Sequence, residues 1–203
     1  MKLYSSQVAP SPRKVLVFIA EKGIETIEVK DLDIGKMEHK TPEYKKIAPN
    51  SRIPALELDD GEIILETTAI CRYLEYIHPS PNLFGEGAME IAQIEMWYSR
   101  VSFELMLPLM HGFRHTHPHM SALEHQNNEF GLAQRELAVK SLKYYEEVIT
   151  EKEFVACDKF SYADIQMTVS LQFLVRLNRI DINDYTNLSK YIGNISARPS
   201  FSI

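Results

Sequence analysis

The sequence predicts an α/β half ordered β-α-β-loop-β-β-α, followed by an all-helical half. Short strand-like runs alternate with two helical patterns up to residue 78. The stretch "PSPNLFGE" (79–86) then carries prolines, Gly and Asn without a period, and the segments after it repeat at helical spacing. The domains are therefore placed at 1–78 and 87–203, with a linker at 79–86.

The first half opens on "KLY", a short strand. From Pro12, the residues Val15, Leu16, Phe18 and Ile19 keep helical spacing until Gly23, a helix stop. "TIEV" (Thr26 to Val29) reads as a second strand, and a polar, turn-rich connection follows, with a short helix starting at Pro42. "PALEL" and "EIIL" flank "DDG", whose aspartates and Gly61 suit a hairpin turn. From Thr68, the residues Ile70, Tyr73, Leu74 and Ile77 give a helix that ends before "HPSPN". In the second half, helices are expected at Ala88 to Met110, Phe130 to Thr150, Ser161 to Leu177 and Asp184 to Ile195. Ser161 and Asp164 have the spacing of an N-capping box, with Phe160 and Ile165 placed as a hydrophobic staple.

Composition narrows the function classes. The chain has 203 residues, 45% hydrophobic and 25% charged, enough for one large core or two modest domains. A net charge of −6 argues against general nucleic-acid binding, so an anionic ligand would need positive charge gathered locally. No apolar run approaches the roughly 18 residues that cross a bilayer, and the start "MKLYSSQVAPSPRKV" lacks the apolar core of a signal peptide. A cytoplasmic protein without a membrane partner is expected. Cys71 and Cys157 lie far apart in apolar surroundings, which reads as two buried thiols.

The stretch "SRIPALELDDGEIILETTAI" (51–70) holds two oddities. Pro54 stands at the mouth of a strand, where proline marks an edge, a bulge or a loop. A cis Ile53–Pro54 bond would turn the backbone of Ile53 outward, towards an extended peptide-like ligand; a trans loop proline is the alternative. Glu66, Thr67 and Thr68 sit at a helix start, whose free N–H groups suit an anion, although Thr67 also suits a plain N-cap.

In "MKLYSS", "RKVLVFIAEKGI", "EHKTPEYKKIAPNSRIPALELDDGEIILETTAICRYLE", "FVACDKFSYADI" and "ISARPS", the chain resembles the cytosolic glutathione transferases over essentially its whole length. "SRVSFELMLP", "FRHTHP" and "EFGLAQRELA" make it most similar to the atypical bacterial and fungal branch typified by yeast glutathione transferase 2. The resemblance implies a thioredoxin-like first domain, an all-helical second one and a homodimer whose facing helices start near Thr67 and Ala88. It also implies a detoxifying conjugation of the glutathione thiolate to a largely apolar electrophile held between the domains, with glutathione as co-substrate and no cofactor. Glutathione-dependent disulfide reduction, or a non-catalytic binding protein on the same fold, stands as the alternative.

By the same resemblance Pro54 is cis, Ile53 pairs its backbone with the cysteinyl unit, and Glu66 with Thr67 holds the γ-glutamyl end. His39, Lys40 and Arg52 would take the glycyl carboxylate. The family's usual Ser or Cys near the first helix aligns with Ala9 or Pro10, neither of which can activate a thiol. Of the nearby hydroxyls Tyr4, Ser5, Ser6 and Ser11, the last sits best to join a hydroxyl to the helix start, unless it is only a cap. Ser11 is accordingly the expected catalytic residue. In the atypical branch the first helix start and a water held from the second domain do this work; the positions that hold the water align here with Met110 and Arg114, in place of a hydroxyl residue and a histidine, with His111, His115 and His117 as the neighbouring substitutes.

Met106, Met110, Arg114 and His115 are expected to line the electrophile pocket. "HGFRHTHPHM" sets His111 and His115 at i, i+4 spacing. Gly112 and Pro118 disrupt a single helical face and no acid completes a ligand set, so no metal is expected.

Overall fold

The structure, a computed structural model, describes residues 1–202. The chain divides into two compact units, Met1–Leu83 joined by the chain from Pro199 onward, and Phe84–Arg198.

The first unit is a four-stranded sheet with helices. β1 (Lys2–Ser5), α1 (Pro10–Glu21) and β2 (Glu28–Asp31) come first, then a 3-10 turn (Glu38–Lys40), α2 (Pro42–Lys45), β3 (Ala55–Glu57), β4 (Ile63–Leu65) and α3 (Thr67–Ile77). The strand order is β2-β1-β3-β4, with β2 parallel to β1 and both other pairs antiparallel. The two-residue side-chain period of a strand separates two cores. Leu3 and Leu56, paired across β1 and β3, are fully buried on one face. Tyr4 and Ala55 point the other way and cluster with Leu32, Tyr44 and Ala48 beside α2. Each fully buried leucine contributes about 1.5–3 kcal/mol.

The second strand lies two residues later than its β-forming residues suggest. All four residues of β2 are exposed, so no buried face fixes its register. Parallel pairing of Lys2 with Glu28 decides it, and the buried Ile27 and Leu32 bracket the strand. The C-terminal segment packs on α1: Arg13 donates to the Phe201 carbonyl at 2.9 Å, and the Ser200 hydroxyl donates to Glu21.

The second unit is helical: α4 (Gly87–Arg100), a π-helical stretch (Val101–Met106), α5 (Leu107–Thr116), α6 (Asn128–Val148), α7 (Tyr162–Arg176) and α8 (Thr186–Ser196). The helix expected to end at Met110 runs on to Thr116 through this π turn. Pro108 has no N–H for the carbonyl of Glu104, and its ring would collide with that carbonyl in a regular helix, so the wider turn makes room. Gly112 does not break the helix. It lies where Arg135 of α6 crosses, and a Cβ on Gly131 would come within 2.7 Å of Thr116 and 2.9 Å of His115, so two glycines permit a close α5–α6 approach. Pro118 does mark the end, one residue beyond the cap His117.

The expected capping box is formed. Asp164 accepts from the Ser161 N–H (2.9 Å) and hydroxyl (2.8 Å), and also from the Val155 N–H (2.8 Å) and the Tyr191 hydroxyl (2.7 Å). Burial pushes its carboxyl pKa up, and these four bonds oppose the shift. Among the described residues no helix is long and apolar enough to cross a membrane.

Candidate active site

Strand register brings three chain turns to one end of the sheet. Ser5 ends β1 opposite Asp31, which ends β2; Ala55 opens β3 opposite Leu65, which ends β4. The loop to α1, the loop into β3 and the entry to α3 therefore share an edge. The Thr67 hydroxyl donates to the Ser11 carbonyl at 3.4 Å, tying the start of α3 to the start of α1.

Two backbone features at this edge are unusual. The Ile53–Pro54 bond is cis. Glu66, the N-cap of α3, has φ 71° and ψ 127°, a region that side-chain-bearing residues rarely enter, and its carboxylate caps no N–H of the helix. Glu66 is exposed and Thr67 is buried. Ile53 is half-buried, and among the described residues its N–H and C=O make no hydrogen bond. Arg52 is exposed, as is Lys40, whereas His39 is buried and its Nδ1 has no hydrogen-bond partner among the described residues. Burial, then the neighbouring Lys40, push the His39 pKa below its usual 6.5.

The start of α1 differs from expectation. The helix begins at Pro10, and Ala9 is the N-cap without a side-chain bond. Ser11 is thus inside the first turn and is not the cap. Pro10 and Pro12 have no N–H, so Ser11 is the one residue of the first three helical positions that carries both an N–H and a hydroxyl. Arg13 already gives its N–H to the Ala9 carbonyl at 3.2 Å. Tyr4, another candidate hydroxyl, donates to Glu57 at 2.7 Å. Burial and that carboxylate push its pKa up to about 12. Ser5 is fully buried.

The four residues expected to line an electrophile pocket lie in the second unit. Met106 is buried and Met110 half-buried. Arg114 donates to Glu124 at 2.8 Å, and the His115 ring accepts the Asn127 N–H at 3.1 Å and meets Phe130 edge-on. Both side chains thus hold the loop between α5 and α6. His111 lies against Gln134 and shares Phe130 with His115, and His117 accepts from the His119 N–H.

Sequence reasoning passed over Tyr44, which reaches the site loop from α2 by donating to the Arg52 carbonyl at 2.8 Å. Its signal was local: Thr41 and Pro42 cap a one-turn helix whose third residue is this tyrosine. Ser51, with φ 54°, was passed over as well.

Two family models match the chain. Residues 9–77 match the glutathione S-transferase N-terminal domain, and residues 101–199 the C-terminal domain. Glutathione S-transferase 2 of Saccharomyces cerevisiae is 35% identical over 85% of this chain and 76% of its own length. Glutathione S-transferase F9 of Arabidopsis thaliana is 29% identical over 99% of this chain and 94% of its own. The crystal structure of Gtt2 from S. cerevisiae superposes with a TM-score of 0.92 at 32% identity, covering 100% of this chain and 99% of that one. A Gtt2-class enzyme of Vibrio parahaemolyticus gives 0.86 at 31% identity, covering 99% and 95%. The chain belongs to the glutathione S-transferase family, in its Gtt2-like branch, and is a glutathione transferase.

Proposed function

We propose that the chain adds the thiolate of glutathione to a largely apolar electrophile, with glutathione held along the sheet edge of the first unit. The observation that carries this is the meeting, at one end of the sheet, of an Ile53 backbone whose N–H and C=O make no hydrogen bond among the described residues, an acid at the α3 start that caps no N–H, and a hydroxyl in the first turn of α1. Ile53 pairs with the cysteinyl unit as a strand would. Glu66 accepts from the γ-glutamyl ammonium, while the N–H of Thr67 holds the adjacent carboxylate, joined by the Thr67 hydroxyl as it turns from its long contact with the Ser11 carbonyl. Arg52, Lys40 and His39 take the glycyl carboxylate. Met106 and Met110 in the second unit are the candidates for contact with the apolar electrophile, with Arg114 and His115 supporting the neighbouring loop. A homodimer meeting through α3 and α4 belongs to the same reading, supported by exposed Tyr76 and Ile77 on α3 and by exposed Met89 and Met96 on α4. Detoxification in the cytoplasm is the setting this chemistry suits.

The thiol must be ionised to react. Lowering a thiol pKa of about 8.5 by two units takes about 2.7 kcal/mol. A helix start supplies about 0.3–1 kcal/mol, up to ~2 in favourable geometry, and a hydrogen bond to a charged group about 1.5–3 kcal/mol. Ser11 combines both at one residue. The ultraviolet thiolate band of bound glutathione, titrated with pH, should therefore give a pKa of about 6–7, rising by about one unit in Ser11→Ala. A bound thiol that titrates at its free value would refute conjugation and favour a non-catalytic binding protein.

His39 adds a second test. Because its pKa is depressed in the free protein, it is neutral at neutral pH, and a carboxylate placed beside it raises that pKa. Glutathione binding is expected to take up a proton at mildly acidic pH and to tighten as pH falls between the bound and free values. The same depression costs stability below 6.5, where the unfolded chain takes up the proton first. Calorimetry in buffers of different ionisation enthalpy measures the uptake, and its persistence in His39→Gln would assign the proton elsewhere.

A further inference from the structure

We infer that Tyr44 is the positioning residue of the glutathione site, setting the direction in which Ile53 offers its N–H. The inference rests on the role proposed for Ile53 and concerns what holds that backbone in place.

A peptide unit is planar, with its C=O and the following N–H pointing in opposite directions. The carbonyl of Arg52 and the N–H of Ile53 belong to one such plane. Tyr44 donates its hydroxyl to that carbonyl at 2.8 Å, from within the buried cluster of Tyr4, Leu32, Ala48 and Ala55. Holding the carbonyl inward turns the Ile53 N–H outward.

The loop has little else to fix this plane. Residues 46–52, between α2 and β3, form no regular element, and Ser51 passes through a positive φ of 54°. The Arg52 N–H donates to Asn50 at 3.1 Å, but it belongs to the preceding peptide plane and leaves the next one free to rotate. Tyr44, by contrast, is anchored. Only 4% of it is exposed, its ring meets Tyr4 edge-on at 5.7 Å, and its N–H is accepted by the Thr41 hydroxyl at 3.3 Å. Burial pushes its hydroxyl pKa up, so it remains a donor across the working pH range.

Tyr44→Phe keeps the ring and deletes the donor. With glutathione and a chlorodinitrobenzene as substrates, the KM for glutathione should rise about tenfold, while kcat at saturating glutathione and the KM for the electrophile stay unchanged. A second readout follows the Ile53 amide proton by NMR: it should move downfield when S-methylglutathione binds the wild type and move less in Tyr44→Phe. An unchanged glutathione KM, with only a lower melting midpoint, would make Tyr44 a purely structural residue and overturn the inference. Glu66→Gln separates the two levels. If it weakens binding and Tyr44→Phe does not, the positioning role fails alone; if neither does, the glutathione site itself is misplaced and the inference falls with it.

Discussion

Replacing Glu66 with glycine is expected to make the protein more stable and nearly blind to glutathione. A residue with a side chain at φ 71° and ψ 127° carries a backbone cost of about 1–3 kcal/mol, which glycine does not share. Glycine loses about 0.5–1 kcal/mol through the greater freedom of its unfolded chain, so a net gain of about 1 kcal/mol should remain. That gain would appear as a raised denaturation midpoint. The same change removes the acceptor proposed for the γ-glutamyl ammonium. A hydrogen bond to a charged group contributes about 1.5–3 kcal/mol, so affinity should fall about 10- to 150-fold by calorimetry. Glu66→Gln should lose less affinity, since its amide oxygen can still accept from the ammonium, and should show no gain in stability, because its backbone stays where it is. A glycine variant that binds glutathione normally would remove Glu66 from the site. One that is less stable than the parent would show that this conformation is not strained.

The strain at Glu66 could not be read from the sequence, whereas its place could. An acid followed by threonines at a helix start, next to a proline at a strand mouth, is a local pattern, and local patterns were legible: the hairpin around Gly61, and the box of Ser161 and Asp164. What stayed hidden depended on partners distant in the chain. β2 takes its register from β1, because its own exposed residues set none. Arg114 and His115 read as pocket lining, yet Glu124 and Asn127 engage them from across the loop. The first helix starts two residues earlier than its apolar spacing shows, because Pro10 is preorganised for a first turn whatever the periodicity. Tyr44 looks like one more buried aromatic until its hydroxyl is seen against the Arg52 carbonyl.

Lys22 is the clearest case of a residue whose importance only the fold reveals, and Lys22→Met is expected to be the most damaging single change in the first unit. Its side chain is fully buried at the end of α1. The ammonium donates to the His78 carbonyl at 2.7 Å and to the Pro81 carbonyl, and pairs with Glu75 at 2.6 Å. Its three donors thus have three acceptors, gathered from α3 and the turn after it. Glu75 in turn accepts from the Leu83 N–H at 3.3 Å, so the cluster ties the chain leaving α3 to the end of α1. Methionine fills similar space but leaves two carbonyls and a largely buried carboxylate without their cation. Breaking a buried pair from one side costs about 3–5 kcal/mol, a loss of about 6–20 °C in the midpoint of a chain this size. If the charge left on Glu75 is the main cost, Lys22→Met with Glu75→Gln should recover part of the loss, since a neutral amide can still accept from Leu83. A single variant within about 1 kcal/mol of the parent would mean that water enters and replaces the ammonium, and the tie between α1 and the end of α3 would then rest on apolar packing alone.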